Sequence, residues 1–129
     1  MDTREKIIDS EYAAALAAEL RQQGASLRAI TGYFDVLVAE HVRRLSEIAA
    51  GETRVFVVLL DPPAPLLAAR ARAEMVAALA MVDYVVPAGE QAAEGLLSQF
   101  AAAEIVREES ADLLRAERLS QHVQRRHQQ

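Results

Sequence analysis

The chain is expected to be an α/β domain, a Rossmann-like three-layer arrangement with a parallel sheet covered by helices on both faces. Three features point to it. The run Arg54-Val55-Phe56-Val57-Val58-Leu59-Leu60 is continuous, β-branched and apolar, the mark of a central parallel strand buried on both sides. Short strand-like runs alternate with amphipathic stretches of ten or more residues, the pattern of right-handed βαβ crossovers. The segment from Ile30 to Leu45 reads as a strand end, a glycine turn and a helix opening near Val38, which is where parallel sheets bind ligands.

Taken in order, Ser10 is a suitable N-cap for a helix in which Tyr12, Leu16 and Leu20 recur beside Ala13 and Ala17, with Gly24 as its C-terminal glycine. A short strand over residues 26–31 ends at the Gly32 turn. Asp35 lies where it can cap the next helix, whose apolar face is Val38, His41, Val42, Leu45, Ile48 and Ala49 and which Gly51 ends. After the central strand, Asp61-Pro62-Pro63-Ala64-Pro65 must break regular structure, because proline offers no N–H and restricts its predecessor. A helix over residues 66–81 should turn Met75, Ala78, Leu79 and Val82 inward. A strand over 83–87 follows, then a helix over 92–100, a short strand at 104–106 and a last helix over 110–126 that should bury Leu113, Ala116, Leu119 and Val123.

The 129 residues make one domain with room for a single sizeable core. A net charge of −5 and a pI near 5.2 argue against nucleic acid as partner, since phosphate backbones require a basic face. No apolar run approaches a membrane span and the first residues lack a signal-peptide pattern, so no membrane is expected and the expected location is the cytoplasm. The absence of cysteine removes disulfides, thiolate metal sites and a cysteine nucleophile. His122 and His127, five apart, do not have the spacing of a helical metal pair.

Several short motifs, in order, resemble the cytidylyltransferase-like nucleotidyltransferases, and among them the adenylyltransferase domain of bacterial heptose-phosphate kinase/adenylyltransferases. Gly32-Tyr33-Phe34-Asp35 is similar to that family's strand-ending turn, and Val38-Ala39-Glu40-His41 falls on its His-x-Gly-His positions. Asp61 falls where the family has an Asn-Ser-Asp-like loop. Arg72-Ala73-Glu74-Met75 with Val82-Asp83-Tyr84-Val85-Val86 resembles its arginine-led helix and next strand, and Ile105-Val106-Arg107 a later strand. The resemblance spans about residues 4–107. It implies a nucleotide or sugar-phosphate ligand held by Gly32, Tyr33, Phe34, Asp35, Asp61, Arg72 and Arg107, with His41 as the catalytic residue. It also implies a homodimer and, in an active enzyme only, Mg²⁺ with ATP or CTP.

The departures fall on the chemistry. The family's two histidines stabilise charge developing at the α-phosphate, and one such donor is worth about 3 kcal/mol. Val38 cannot donate, and Glu40 places a carboxylate where the family keeps a glycine for the nucleotide. Glu108 and Glu109 stand where phosphate-binding hydroxyls are wanted, and prolines occupy the loop after Asp61, which lacks the usual lysine. Each surviving residue has a plain alternative: His41 as a structural histidine, Asp35 as a helix cap, Arg72 as an ion-paired helix residue, Asp61 as the start of a proline turn. Asp83 reads most simply as a helix-to-strand junction. The expected function is therefore a diverged, catalytically inactive nucleotidyltransferase-like domain. Two alternatives stay open: an enzyme with a site rebuilt on His41, Arg72 and Arg107, and an interaction module acting through the last helix.

Overall fold

The computed structural model describes residues 2–128, together with every side chain through Arg126. Four parallel strands, β1 (Leu27–Gly32), β2 (Arg54–Leu59), β3 (Tyr84–Pro87) and β4 (Ile105–Arg107), lie in the order β3-β2-β1-β4. Helices α1 (Ser10–Gln22), α2 (Ala39–Ile48), α3 (Ala69–Ala77), α4 (Glu90–Leu97) and α5 (Glu109–Gln128) connect or flank them. The expected α/β three-layer architecture is what the chain adopts. Register is continuous from Leu27↔Arg54 to Gly32↔Leu59, so β1 and β2 end side by side.

The core divides by strand alternation. Leu27, Ala29, Phe56, Val58 and Val86 pack under α1 and α4 with Ala13, Ala17, Leu96 and Phe100. Ile30, Val55, Val57, Leu59 and Val85 pack on the other face against Phe34, Leu45, Ile48, Ala73 and Val76. No helix among the described residues is long and apolar enough to cross a membrane.

Local chemistry sets the helix ends. Asp9, not Ser10, caps α1, its carboxylate accepting the Tyr12 N–H at 2.7 Å. The helix closes at Gly24, whose φ of +81° places it in the left-handed region. Gly24 and Ala25 N–H return to the Arg21 and Leu20 carbonyls in a Schellman arrangement. The two alanines, Ala13 and Ala17, are what reach the sheet, because small residues let the helix lie close, and Tyr12 is left 58% exposed.

Three expectations are corrected. The helix placed over residues 66–81 begins only at Ala69, since Leu66 and Leu67 donate their N–H groups to the Asp35 carboxylate at 2.6 and 2.9 Å. Asp35 therefore ties down the proline loop and does not cap α2, which opens at Val38 with no side-chain oxygen on its first N–H groups. The helix also ends at Ala77, and its inward face differs in part. Arg72, Ala73, Val76 and Ala77 point inward and Met75 and Ala78 are exposed, while Leu79 and Val82, beyond the helix end, pack into the core as expected.

Arg72 is the reason for that inward face. Its guanidinium is buried and donates to the Tyr33 and Leu60 carbonyls at 2.9 Å, to the Leu67 carbonyl at 3.1 Å and to Asp61 at 2.8 Å. It thus satisfies the carbonyls just beyond β1 and β2, which no sheet neighbour reaches. Arg72→Ala should cost about 3–5 kcal/mol, because it strands buried carbonyls. Arg72→Lys should recover little, since an ammonium lacks the planar fork. Urea unfolding midpoints at unchanged slope measure both; a loss below 1 kcal/mol for Arg72→Ala would refute the assignment.

Candidate functional site

The sheet changes direction between β1 and β4: from β1 the chain builds outward to β2 and β3, then returns to the other side of β1. A crevice opens beyond the strand ends at such a point. It measures about 500 Å³ and is lined by Tyr33 after β1, Asp61 after β2, Arg107 at the end of β4, Glu109 at the start of α5, and Glu90 and Glu94 on α4. Four carboxylates thus face one guanidinium.

The turn after β1 is the most constrained part of the chain. Phe34 and Val36 take φ of +47° and +66°, left-handed values that cost a non-glycine residue on the order of 1 kcal/mol each. The bend aims the Tyr33 and Phe34 N–H groups at one point, a concavity suited to an anion. That point is taken by the chain itself. Asp112 of α5 places Oδ2 at 2.8 Å from the Tyr33 nitrogen and 3.3 Å from the Phe34 nitrogen. Its Oδ1 lies 2.7 Å from His41 Nε2 and accepts from Arg115 Nη1 at 3.1 Å. The carboxylate is buried, and Gly32 is what lets it in: a Cβ there would stand 2.6 Å from Asp112 Oδ2 and 2.7 Å from the Phe34 ring.

His41 is buried between this carboxylate and its own helix. Its Nδ1 accepts the Val38 N–H at 3.0 Å, so the capping of α2 comes from its third residue and not from Asp35. A nitrogen that accepts carries no proton, which leaves the ring proton on Nε2, facing Asp112. Asp112 Oδ1 sits off the axis of that N–H, so the contact is an electrostatic pairing and not a linear hydrogen bond. The Phe34 ring, 5.3 Å away at its centroid, covers the imidazole.

The residues expected to form one site are thus divided. Gly32, Tyr33, Phe34 and His41 converge on Asp112. Asp35 holds the proline loop. Arg72 commits four of its five N–H donors to the frame, and Asp61 pairs with it at the mouth of the crevice. Arg107 is exposed across the crevice. Asp83 accepts the Val55 N–H at 2.7 Å, as a junction residue should. His122 is exposed on α5, and the side chain of His127 lies outside the described residues.

Three residues with no assigned role complete the arrangement. Glu108 is buried and accepts from Arg44 Nε at 2.6 Å, while its own N–H donates to the Thr31 carbonyl at 2.8 Å. That hydrogen bond, foremost, holds the Arg44 pKa above its ordinary value. Arg115 bridges Asp112 and Glu40. The available signal was the spacing: Glu108, Asp112 and Arg115 recur at four and three residues, one face of a helix.

The anchoring of α5 corrects a further expectation. The helix meets the body through Asp112 and Arg115, with Glu108 just before it, and Leu113 and Val123 remain 46% and 45% exposed. The buried carboxylate on two backbone N–H groups sets the helix rotation, and part of the apolar stripe is turned outward.

Asp112→Ala should lower stability by about 2–4 kcal/mol, the cost of stranding buried donors. Formate should then restore part of the loss, entering the vacated position, where chloride at equal ionic strength does not. Thermal melts of the wild type and the variant in the two salts test this; identical melting of Asp112→Ala in both would refute the anion position. No protein-family model matches this chain, and a search of curated proteins finds no match for it.

Proposed function

We propose that this chain is a catalytically silent nucleotidyltransferase-like domain that keeps the fold and a small-molecule crevice without the transfer chemistry. One observation carries the reading: the N–H pair and histidine that would receive a phosphate hold the Asp112 carboxylate instead. A nucleotide would have to expel a buried, hydrogen-bonded group that is attached to a helix. Expelling it removes the Arg115 pairing as well and exposes α5 along its anchored face.

Electrostatics supports the same reading. With Asp61 paired to Arg72, Glu90, Glu94 and Glu109 around the crevice repel a polyphosphate, and Arg107 offsets only one of them. The residues that a rebuilt enzyme would use are poorly placed for it: His41 is buried with both nitrogens engaged, and Arg72 is spent on strand-end carbonyls. Transition-state stabilisation needs donors aimed at the charge that develops, and Arg107 is the crevice-lining cation left to supply it. Mg²⁺ and ATP or CTP belong to this protein only if it transfers nucleotides. The reading includes pairing of two chains.

Incubation with ATP or CTP, Mg²⁺ and a sugar or polyol phosphate should release no pyrophosphate above the enzyme-free rate. Sustained release that His41→Ala abolishes would overturn the proposal. Thermal melts should likewise show no metal-dependent stabilisation by millimolar nucleotide, since any ligand of the native state alone raises its stability.

A further inference from the structure

We propose that the outward stripe of α5 is the surface on which two copies of this chain pair, with their α5 helices antiparallel; the proposal rests on the paired reading above and names its contact. The helix has two faces with different tasks. Asp112 and Arg115 hold it to the body, as described. Leu113, Ala116, Leu119 and Val123 recur at three- and four-residue spacing on an adjacent stripe, of which Leu113 and Val123 stand about half exposed. From Ser120 to Arg126 every residue is exposed, so the distal half of α5 runs clear of the body that anchors its start. A helical segment of that length has little stability in water without packing on one side.

Beside the proximal half lies the surface that can supply the packing. Pro62, Pro63 and Leu66 of the proline loop form, with Leu113 and Ala116, a groove of about 210 Å³, and Leu66 is 71% exposed at its edge. The groove is continuous with the α5 stripe. The distal half of one α5, laid on the proximal half of another, covers both at once, and a twofold axis makes the exchange reciprocal.

Charge selects the direction and the occupant. Glu108 and Asp112 are buried and paired within the body, but the start of α5 keeps Glu109. The solvent-facing carboxylates of Glu40 and Asp61, though paired with Arg115 and Arg72, belong to the same end of the molecule. The last turns of α5 carry Arg125 and Arg126. A parallel pair would set like ends together. An antiparallel pair sets the arginines of each copy over the acidic end of the other, so the helix complements its own reverse. A second copy of this chain therefore matches the surface in apolar pattern and in charge.

Sedimentation equilibrium of the full chain, from low micromolar to near-millimolar concentration, should show a monomer–dimer equilibrium. The double variant Leu113→Glu/Val123→Glu should weaken it roughly thirtyfold or more, the effect of losing a central apolar contact. Its melting should match that of the wild type at low concentration, where the wild type is monomeric, and its circular dichroism should lose no more than the helicity of the distal half of α5, because both positions face outward. Dimerisation unchanged in that variant would overturn the α5 surface while leaving pairing intact; a wild-type monomer at every concentration would overturn both. Since the chain has no cysteine, direction can be read separately. Mixing Leu113→Cys with Val123→Cys chains under mild oxidation should give mainly the mixed disulfide. Disulfides formed mainly between identical variants would overturn the antiparallel arrangement.

Discussion

The turn after β1 presents two buried backbone N–H groups that no strand can satisfy, and the structure around it follows from that constraint. The chain leaves the sheet at Phe34 through a left-handed residue, which aims both donors at one point away from the ladder. Buried donors without partners cost several kilocalories per mole relative to water. A bound anion would meet the need in a ligand-binding protein. Here the Asp112 carboxylate meets it from within, and several features follow: Gly32 has no side chain because the carboxylate fills the space, His41 turns Nε2 toward it, and Arg115 completes its neutralisation.

Arg72 solves the complementary problem on the same edge. The carbonyls of Tyr33 and Leu60 lie beyond the last sheet pairing, and the guanidinium fork satisfies both while its other end meets Asp61. Donors at the strand ends are met by an anion and acceptors by a cation, each supplied by a helix. That edge is where an α/β sheet ordinarily meets its ligand. In this chain it is internally neutralised, and the crevice that remains beside it is ringed by carboxylates. An edge that serves structure instead of binding requires no different fold, since architecture and chemistry separate readily.

Much of this was legible in the chain. The apolar run of β2, the glycine at the end of α1 and the prolines after Asp61 act through local sterics and solvation, which a sequence carries directly. Gly32, Tyr33, Phe34 and His41 stood out as a cluster and do meet in space. What they meet was hidden, because Asp112 is far from them in sequence and its type reads as a solvated helix residue until its partners are known. The rotations of α3 and α5 were missed for one shared reason. Periodicity assigns the inward face by hydrophobicity, whereas in both helices a charged residue, Arg72 or Asp112, takes the inward position because backbone groups there need it.

The sequence by itself determined the architecture: four strands, their parallel sense, the helices between them and the turn around which they are arranged. These depend on side-chain period and on backbone restrictions that act over a few residues. Only the tertiary structure decided what fills the turn, which way α3 and α5 face, and that Asp35 holds a loop and leaves the capping of α2 to His41. Those outcomes depend on which buried donors and acceptors are left over once the sheet has formed. The remainder is set by the three-dimensional course of the backbone and is encoded in no short stretch of the chain.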